Sequence, residues 1–403
     1  MSIIKRLFCF IVIGFFLVSL KLPNVQPLVY LTYTQDPSTS ISVHWHTQLA
    51  EKEAMLFYRK KGESHWRQSE GTVIAMEDYD HAVHRVDLSN LQANTYYEFH
   101  VTDPSVIHIF RTLPEKLDDR GIKFVVGGDV FRSLPGFQKM NKVIAEQDPD
   151  FIVIGGDIAY TIGAKKVFFK KPDWEMRRWI TFFSEWNTTM VGKEGRLIPI
   201  LPVVGNHDVP PGRVDPTKTP VLLYQLFAFK QDNVSYRTLD IGSYLSLFLL
   251  DTDHSYPIEG KQSEWLHSAL SERSDVPYKF AAYHISAYPS VYRYKKTTAK
   301  KIREHWSPLF EDHGVQLAFE HHNHAYKRTF PIKKEAVDPT GVVYMGDGSW
   351  GVSPRSPFNA WYLEKRMKQT CVNVIDLSDQ GCQVSVFNQN GKVLDSIPSV
   401  LPK

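Results

Sequence analysis

Apolar and polar positions alternate in short runs in the N-terminal part of the chain, at 28–34, 41–46, 54–59, 82–88, 96–101 and 106–111, with turn-forming residues between them. Alternation with a period of two sends successive side chains to opposite faces of a strand. Strands of this length at this spacing predict an all-β sandwich of about ninety residues over 27–114. After the polar stretch 115–120 the pattern changes. Runs at 123–126, 151–154, 198–204, 244–250, 280–283, 315–319 and 342–345 are apolar throughout, as expected of strands covered on both faces. Helical periodicity at 174–186 and 263–271 falls between them, so 121–398 reads as an α/β unit. The sequence carries neither an internal repeat nor a low-complexity stretch.

The N-terminal residues follow another pattern: Lys5-Arg6, an apolar run over 7–20, then Lys21. A basic start and a short apolar segment predict a secretory signal over 1–23, the run being shorter than the ~17 residues a membrane span requires. No small-x-small cleavage pattern follows, so an uncleaved signal anchor, which would tether the protein to a membrane, stays open as the alternative. Either way the chain is expected to be secreted, periplasmic or otherwise extracytoplasmic. In that oxidising setting Cys371 and Cys382 are expected to form a disulfide between neighbouring strands, the alternative being two reduced core thiols, while Cys9 lies inside the signal segment. Asn187-Thr188-Thr189 and Asn233-Val234-Ser235 are candidate glycosylation sites of an exported chain. Apolar residues at 43%, charged residues at 23% and a net charge of +3 over 403 residues describe an ordinary globular protein and give no electrostatic case for a nucleic-acid partner. Oligomeric state is not legible.

Chemistry concentrates where the α/β runs stop: Asp129, then Asp157 with Tyr160, then Asn206 with His207, then His284, then His322 and His324. In open α/β sheets ligands gather beyond the carboxyl ends of strands. A single Asp at a strand end is ordinarily a cap or turn residue; a succession of such loops points to a site. Carboxylate and amide oxygens with imidazole nitrogens suit two divalent or trivalent ions roughly 3.5–4 Å apart, sharing a carboxylate and clamping a phosphoryl group.

Two of these loops match known motifs. Gly156-Asp157-Ile158-Ala159-Tyr160 fits G-D-x-x-Y and Gly205-Asn206-His207-Asp208 fits G-N-H-D/E, in the order and spacing of the calcineurin-like metallophosphoesterases. Most of that superfamily carries a histidine two residues after the first Asp; here that position is Phe131, and Tyr160 is present instead, so the chain resembles the purple acid phosphatases. The resemblance covers nearly the whole mature chain, because plant-type members place a fibronectin type III-like domain before the catalytic one, and 91–97 looks like the turn and tyrosine that open a late strand of such a domain. It implies a metallophosphoesterase β-sheet sandwich flanked by helices and a dinuclear centre of Fe(III) with Fe(II), Zn(II) or Mn(II). Carried across position by position, Asp129, Asp157, Tyr160 and His324 would hold one ion and Asp157, Asn206, His284 and His322 the other, with Asp157 as the bridge. The anionic phenolate favours the harder trivalent ion. His207 would face the substrate, and Asp208 would orient it.

In Phe319-Glu320-His321-His322-Asn323-His324-Ala325-Tyr326-Lys327-Arg328, only the frame using His322 and His324 also aligns Tyr326 and Arg328 with the family pattern G-H-x-H-x-Y-x-R. His321 then stands where the family has glycine, and would be strained if that position takes a positive φ. The pair of histidines that plant-type members carry shortly beyond the His284 position is replaced by Arg293-Tyr294, which leaves the general acid unassigned. Arg293, with Lys295 and Lys296, is a candidate for binding phosphate, the alternative being a solvated loop. His254 and His313 have no spacing that links them to the site and read as structural.

The resemblance implies an acid phosphatase that cleaves small phosphate monoesters with a metal-bound hydroxide. The alternatives are a phosphodiesterase or pyrophosphatase of the same family, and a metal-holding surface binding protein weakened as a catalyst by Phe131 and His321.

Overall fold

The structure is a computed structural model that describes residues 27–162, 174–212, 221–227, 229, 234–346 and 348–403. The expected signal segment over 1–23 and the sequon asparagine Asn233 lie outside the described residues; Asn187 lies in the last turn of the helix Trp174–Thr189.

The N-terminal unit is all β. One sheet runs Val29–Thr32, Ile41–Gln48, His81–Leu88, Thr72–Met76 in spatial order, and the other Arg67–Glu70, Met55–Lys60, Tyr96–His100, His108–Arg111. Trp45, Leu56, Val86, Tyr97, Phe99 and Phe110 are buried between them. The turn expected at 91–97 is closed by the Gln92 N–H, which donates to the Tyr97 hydroxyl at 2.8 Å. Two strands escape the sequence pattern, Arg67–Glu70 and Thr72–Met76, because an edge strand that faces water needs no apolar stripe.

The second unit packs a six-stranded sheet against a seven-stranded one. The first is ordered Ile200–Pro202, Phe151–Ile154, Ile122–Gly127, Cys371–Ser378, Gly381–Asn388, Val393–Val400. The second is ordered Arg237–Ile241, Leu245–Leu249, Tyr278–Ile285, Leu317–His321, Val343–Gly346, Tyr326–Thr329, Leu363–Met367. Strand alternation builds the layers: Phe151 and Val153 join Phe280, Phe319 and Met345 between the sheets, while Ile152 and Ile154 meet Phe137, Ile144 and Trp179 of the helices Leu134–Glu146 and Trp174–Thr189. Helices Lys261–Ser271, Thr297–His305 and Ser307–Asp312 cover the other sheet through Phe248, Ala281 and Ala318. The strands that approach the candidate site run parallel, Phe124 pairing with Phe151 and Ile152 with Ile200, and likewise Phe280 with Leu317 and Leu317 with Val343. Their carboxyl ends therefore share one rim.

The expected disulfide does not form. Cys371 pairs in register with Asn388 and Cys382 with Leu377, so the buried thiols stand near opposite ends of one hairpin, about 20 Å apart at the rise of a strand. A bridge requires Cα atoms within roughly 7 Å. The two cysteines do lie on neighbouring strands; the register separates the thiols.

Tyr326 and Arg328 turn out to be structural. The Tyr326 hydroxyl donates to Asp395 Oδ2 at 2.6 Å, Arg328 Nε to the same oxygen at 2.7 Å and Lys365 Nζ to Oδ1 at 2.8 Å, fastening the edge of one sheet to the last strand of the other. Burial alone would raise the Asp395 carboxyl, but these donors hold it at about 2. A folded value below the unfolded one of about 3.9 means that the stabilisation is complete above about pH 4 and is lost as the pH falls through about 2. We expect the wild type to lose about 1–2 kcal/mol of unfolding free energy across that window. Asp395→Asn should be less stable above pH 4 and flatter below it; the check is denaturant unfolding at a series of acid pH values.

Candidate metal centre

Each expected ligand sits at the end of a strand or just beyond it, on the shared rim. Asp129 follows Ile122–Gly127, Asp157 and Tyr160 follow Phe151–Ile154, Asn206 follows Ile200–Pro202, His284 lies near the end of Tyr278–Ile285, and His322 and His324 follow Leu317–His321. The first two loops are zipped together: Asp129, Val130 and Phe131 donate their N–H groups to the carbonyls of Gly156, Asp157 and Ile158 at 3.0, 2.9 and 2.8 Å. Asp129, Asp157, Tyr160, His322 and His324 all take left-handed backbone conformations, with φ of 57°, 53°, 52°, 69° and 54°. Such a conformation costs a non-glycine residue about 1 kcal/mol or more. It lets a chain leaving a strand fold its side chain back over the strand end, and the surrounding hydrogen bonds hold it there.

Two donor groups result. In the first, Asp129 Oδ1 accepts from the Tyr160 hydroxyl at 2.8 Å and lies 2.8 Å from His324 Nε2, which is 3.5 Å from the phenol oxygen. In the second, Asp157 Oδ1 lies 3.4 Å from His284 Nε2, which is 3.2 Å from both Asn206 Oδ1 and His322 Nδ1. Asp157, His284 and His322 present atoms that all lie within 4.8 Å of one another. His284 Nδ1–H donates to the Gly155 carbonyl at 2.9 Å, which fixes the tautomer and turns Nε2 toward the group.

These residues fit a pair of cations chemically as well as geometrically. Asp129 and Asp157 are buried, which would raise both carboxyls, yet His324 lowers the first and His284 holds the second at about 2. In return, burial that would discharge His284 is outweighed by Asp157 and Asp129, which push it up to about 9. Without an ion His284 supplies positive charge to the two enclosed carboxylates. Burial and the Asp129 and Asp157 charges hold the Tyr160 phenol protonated well above its usual range, so only a strongly acidic cation would take its proton.

Several expectations need correction. Asp208 does not reach the His207 ring. Its carboxylate accepts the N–H groups of Asp157, Ile158 and Gly205 at 2.7, 2.8 and 2.9 Å, so it is a positioning residue for the Asp157 loop, and burial with the Asp157 charge pushes it up to about 8. His207 is oriented instead by Nδ1–H to the Ile162 carbonyl at 2.5 Å and by stacking on Tyr160 at 4.7 Å, and its side chain stays 25% exposed. His321 is not strained, because it is the last residue of a strand; the positive φ falls on the next residue, His322. Its ring fills a niche over Gly155 and Gly128, where an added Cβ would come within 1.8 Å and 2.7 Å of it. Gly155→Ala should therefore push His321 and the loop after it outward. We expect a loss of about 2–3 kcal/mol in unfolding free energy together with loss of bound metal, checked by thermal unfolding and metal analysis.

Phe131 is buried against Phe137 and the Arg178 guanidinium, while Arg178 Nε donates to the Ala159 carbonyl at 2.7 Å. Arg293 is exposed and borders a cleft with Tyr292, Lys296 and His322; it contacts none of the expected ligands. His254, read as structural, packs its ring 5.7 Å from His284, with Nε2 3.1 Å from the Thr252 hydroxyl. Asn323 lies between the two histidines: its Oδ1 accepts from Val291 N–H at 3.1 Å and so ties the 291–292 turn to the site. Sequence spacing carries no signal for it.

With the geometry in place, comparison with known proteins defines the class. The family model for calcineurin-like phosphoesterases matches residues 122–326, and the chain belongs to that family. The N-terminal domain model of purple acid phosphatases matches residues 27–112, which makes it a purple acid phosphatase-like member. Purple acid phosphatase 15 of Arabidopsis thaliana is 26% identical over 294 residues, covering 66% of this chain and 53% of that protein. Purple acid phosphatase 23 of the same plant is 27% identical over 353 residues, covering 81% and 73%. The chain thus spans only about half the length of the first relative. Among solved structures, purple acid phosphatase PPD1 from yellow lupin (Lupinus luteus) seeds superposes with a TM-score of 0.77 over 93% of this chain and 74% of that one at 15% identity, a likeness of fold.

Proposed function

We propose that the chain is a dinuclear-metal hydrolase of small phosphate monoesters. The observation that carries this reading is the convergence of Asp129, Tyr160 and His324 beside Asp157, Asn206, His284 and His322, all held on one rim. Asp129, Tyr160 and His324 would hold one ion, Asn206, His284 and His322 the other, and Asp157 would join them. An Fe(III) ion beside Fe(II), Zn(II) or Mn(II) fits the first group, since a phenol held protonated well above its usual range calls for a hard, strongly acidic cation. When bound, the ions would supply acidified water and a clamp on the phosphoryl oxygens.

The remaining work falls to the chain. His207, its ring stacked on Tyr160 and its Nδ1–H committed to Ile162, keeps Nε2 for a phosphoryl oxygen or the leaving group. Asp208 keeps the Asp157 loop in place through three backbone N–H groups. No histidine stands at the turn beyond His284, which favours a second reading, a diesterase or pyrophosphatase whose better leaving group needs less help from an acid. Comparing nitrophenyl phosphate with bis-nitrophenyl phosphate separates the two. We expect the monoester to be cleaved faster, by about tenfold or more in kcat/KM, with activity extending below neutral pH; faster cleavage of the diester would reverse the reading.

A further inference from the structure

Tyr292 lies face to face with the His322 ring, the centroids 4.9 Å apart and the planes 26° apart. Two cations converge on this tyrosine. The Lys296 ammonium stands 4.7 Å from the ring centre and the Arg355 guanidinium 5.4 Å, and Arg355 Nη1 donates to the Tyr292 hydroxyl. Neither cation has a carboxylate partner among the described residues. Several other fixed cations have a carboxylate, Arg196 with Asp148, Arg273 with Asp240, Lys301 with Asp253 and Arg328 with Asp395, while Arg178 and Lys279 are taken up by backbone carbonyls. A converging pair without an acid, beside a centre rich in acids, is arranged for an anion from outside.

The arrangement is registered on the candidate centre by the main chain. Arg355 N–H donates to the His324 carbonyl at 2.6 Å, and Asn323, between the two histidines, accepts from Val291 N–H at 3.1 Å and donates to the His321 carbonyl at 3.2 Å. Tyr292, Lys296 and His322 border one cleft, and both cations are anchored on the tyrosine and not on an expected ligand. They therefore stand beside the ligand shell, next to the place of the transferred phosphoryl group. We propose that Tyr292, Lys296 and Arg355 form an anion clamp on the leaving-group side, which selects phosphoanhydrides and phosphate esters whose leaving group is or carries a second phosphoryl group. The proposal rests on the phosphoester hydrolase reading of the adjoining centre.

The test uses the metal-loaded full chain and the variants Lys296→Ala, Arg355→Gln and the pair together. Calorimetry compares methylenediphosphonate, which carries two phosphonates and is not hydrolysed, with methylphosphonate, which carries one. Kinetics compares pyrophosphate with nitrophenyl phosphate. The wild type is expected to bind the diphosphonate more tightly, and the double variant to lose about ten- to a hundredfold of that affinity, with a loss for methylphosphonate at least severalfold smaller. The kcat/KM ratio of pyrophosphate to nitrophenyl phosphate should fall in parallel. Equal losses for both phosphonates would place the cations on the transferred group and overturn the clamp, as would no loss for either. Should Arg355→Gln fail to fold, Lys296→Ala, at an exposed side chain, carries the comparison alone. A wild type that hydrolyses neither substrate would defeat the hydrolase reading, while the diphosphonate affinities would still decide the clamp.

Discussion

Asp157→Asn should empty the centre. The residue is buried, receives the His207 N–H at 2.7 Å and stands 3.4 Å from His284 Nε2, with the zipped Asp129 loop on its other flank. Asparagine preserves the shape and can still accept the His207 N–H, so the fold is expected to survive. What disappears is the negative charge that both ions would share, and an amide N–H₂ would face a cation. Bound metal should fall from about two ions per chain to below one, and turnover of nitrophenyl phosphate by about a thousandfold or more. Metal analysis and a rate assay on the same preparation check this, with circular dichroism to establish that the variant is folded. A normal rate in Asp157→Asn would overturn the dinuclear reading.

Tyr160→Phe isolates the first ion. The hydroxyl is the only part removed: phenylalanine keeps the buried ring and its stacking on His207, and Asp129 Oδ1 with His324 Nε2 remain 2.8 Å apart. A phenolate bound to a ferric ion absorbs visible light, so the wild type should be coloured and the variant colourless. Iron content should fall by about half or more, because the remaining oxygen and nitrogen donors suit a trivalent ion less well. The visible spectrum and metal content of the two proteins decide the matter. A wild type that is active, colourless and free of iron would reject the ferric assignment and leave the carboxylate bridge standing.

Much of this centre could be read from the sequence because its donors lie directly after apolar runs, and a strand end fixes where a residue must be. Asp129, Asp157, Asn206, His284, His322 and His324 needed only strand positions and the parallel order of two sheets to converge. The role of Asp208 was not readable, since it depends on backbone N–H groups of a loop some fifty residues earlier. His321 would be strained only as a turn residue, and the strand runs two residues beyond the apolar pattern and keeps it within the sheet. Arg355 lies in an irregular segment with no periodicity, and its guanidinium finds Tyr292 only through the fold. The strand Leu363–Met367 is largely exposed and charged, so nothing in its composition marks it as the edge of the second sheet. The cysteine pairing failed on register, which spacing alone does not determine.

The strand that delivers Asp129 is hydrogen-bonded on one side to Phe151–Ile154 and on the other to Cys371–Ser378, with Val125 opposite Val374. The second of these neighbours comes far along the chain, after every residue of the candidate centre. During synthesis one edge of the Asp129 strand therefore stays unpaired until Cys371–Ser378 has been made. A chain cut before Cys371 would keep all the candidate ligands and lose the ladder that steadies Asp129, so it is expected to hold metal less tightly than the whole chain.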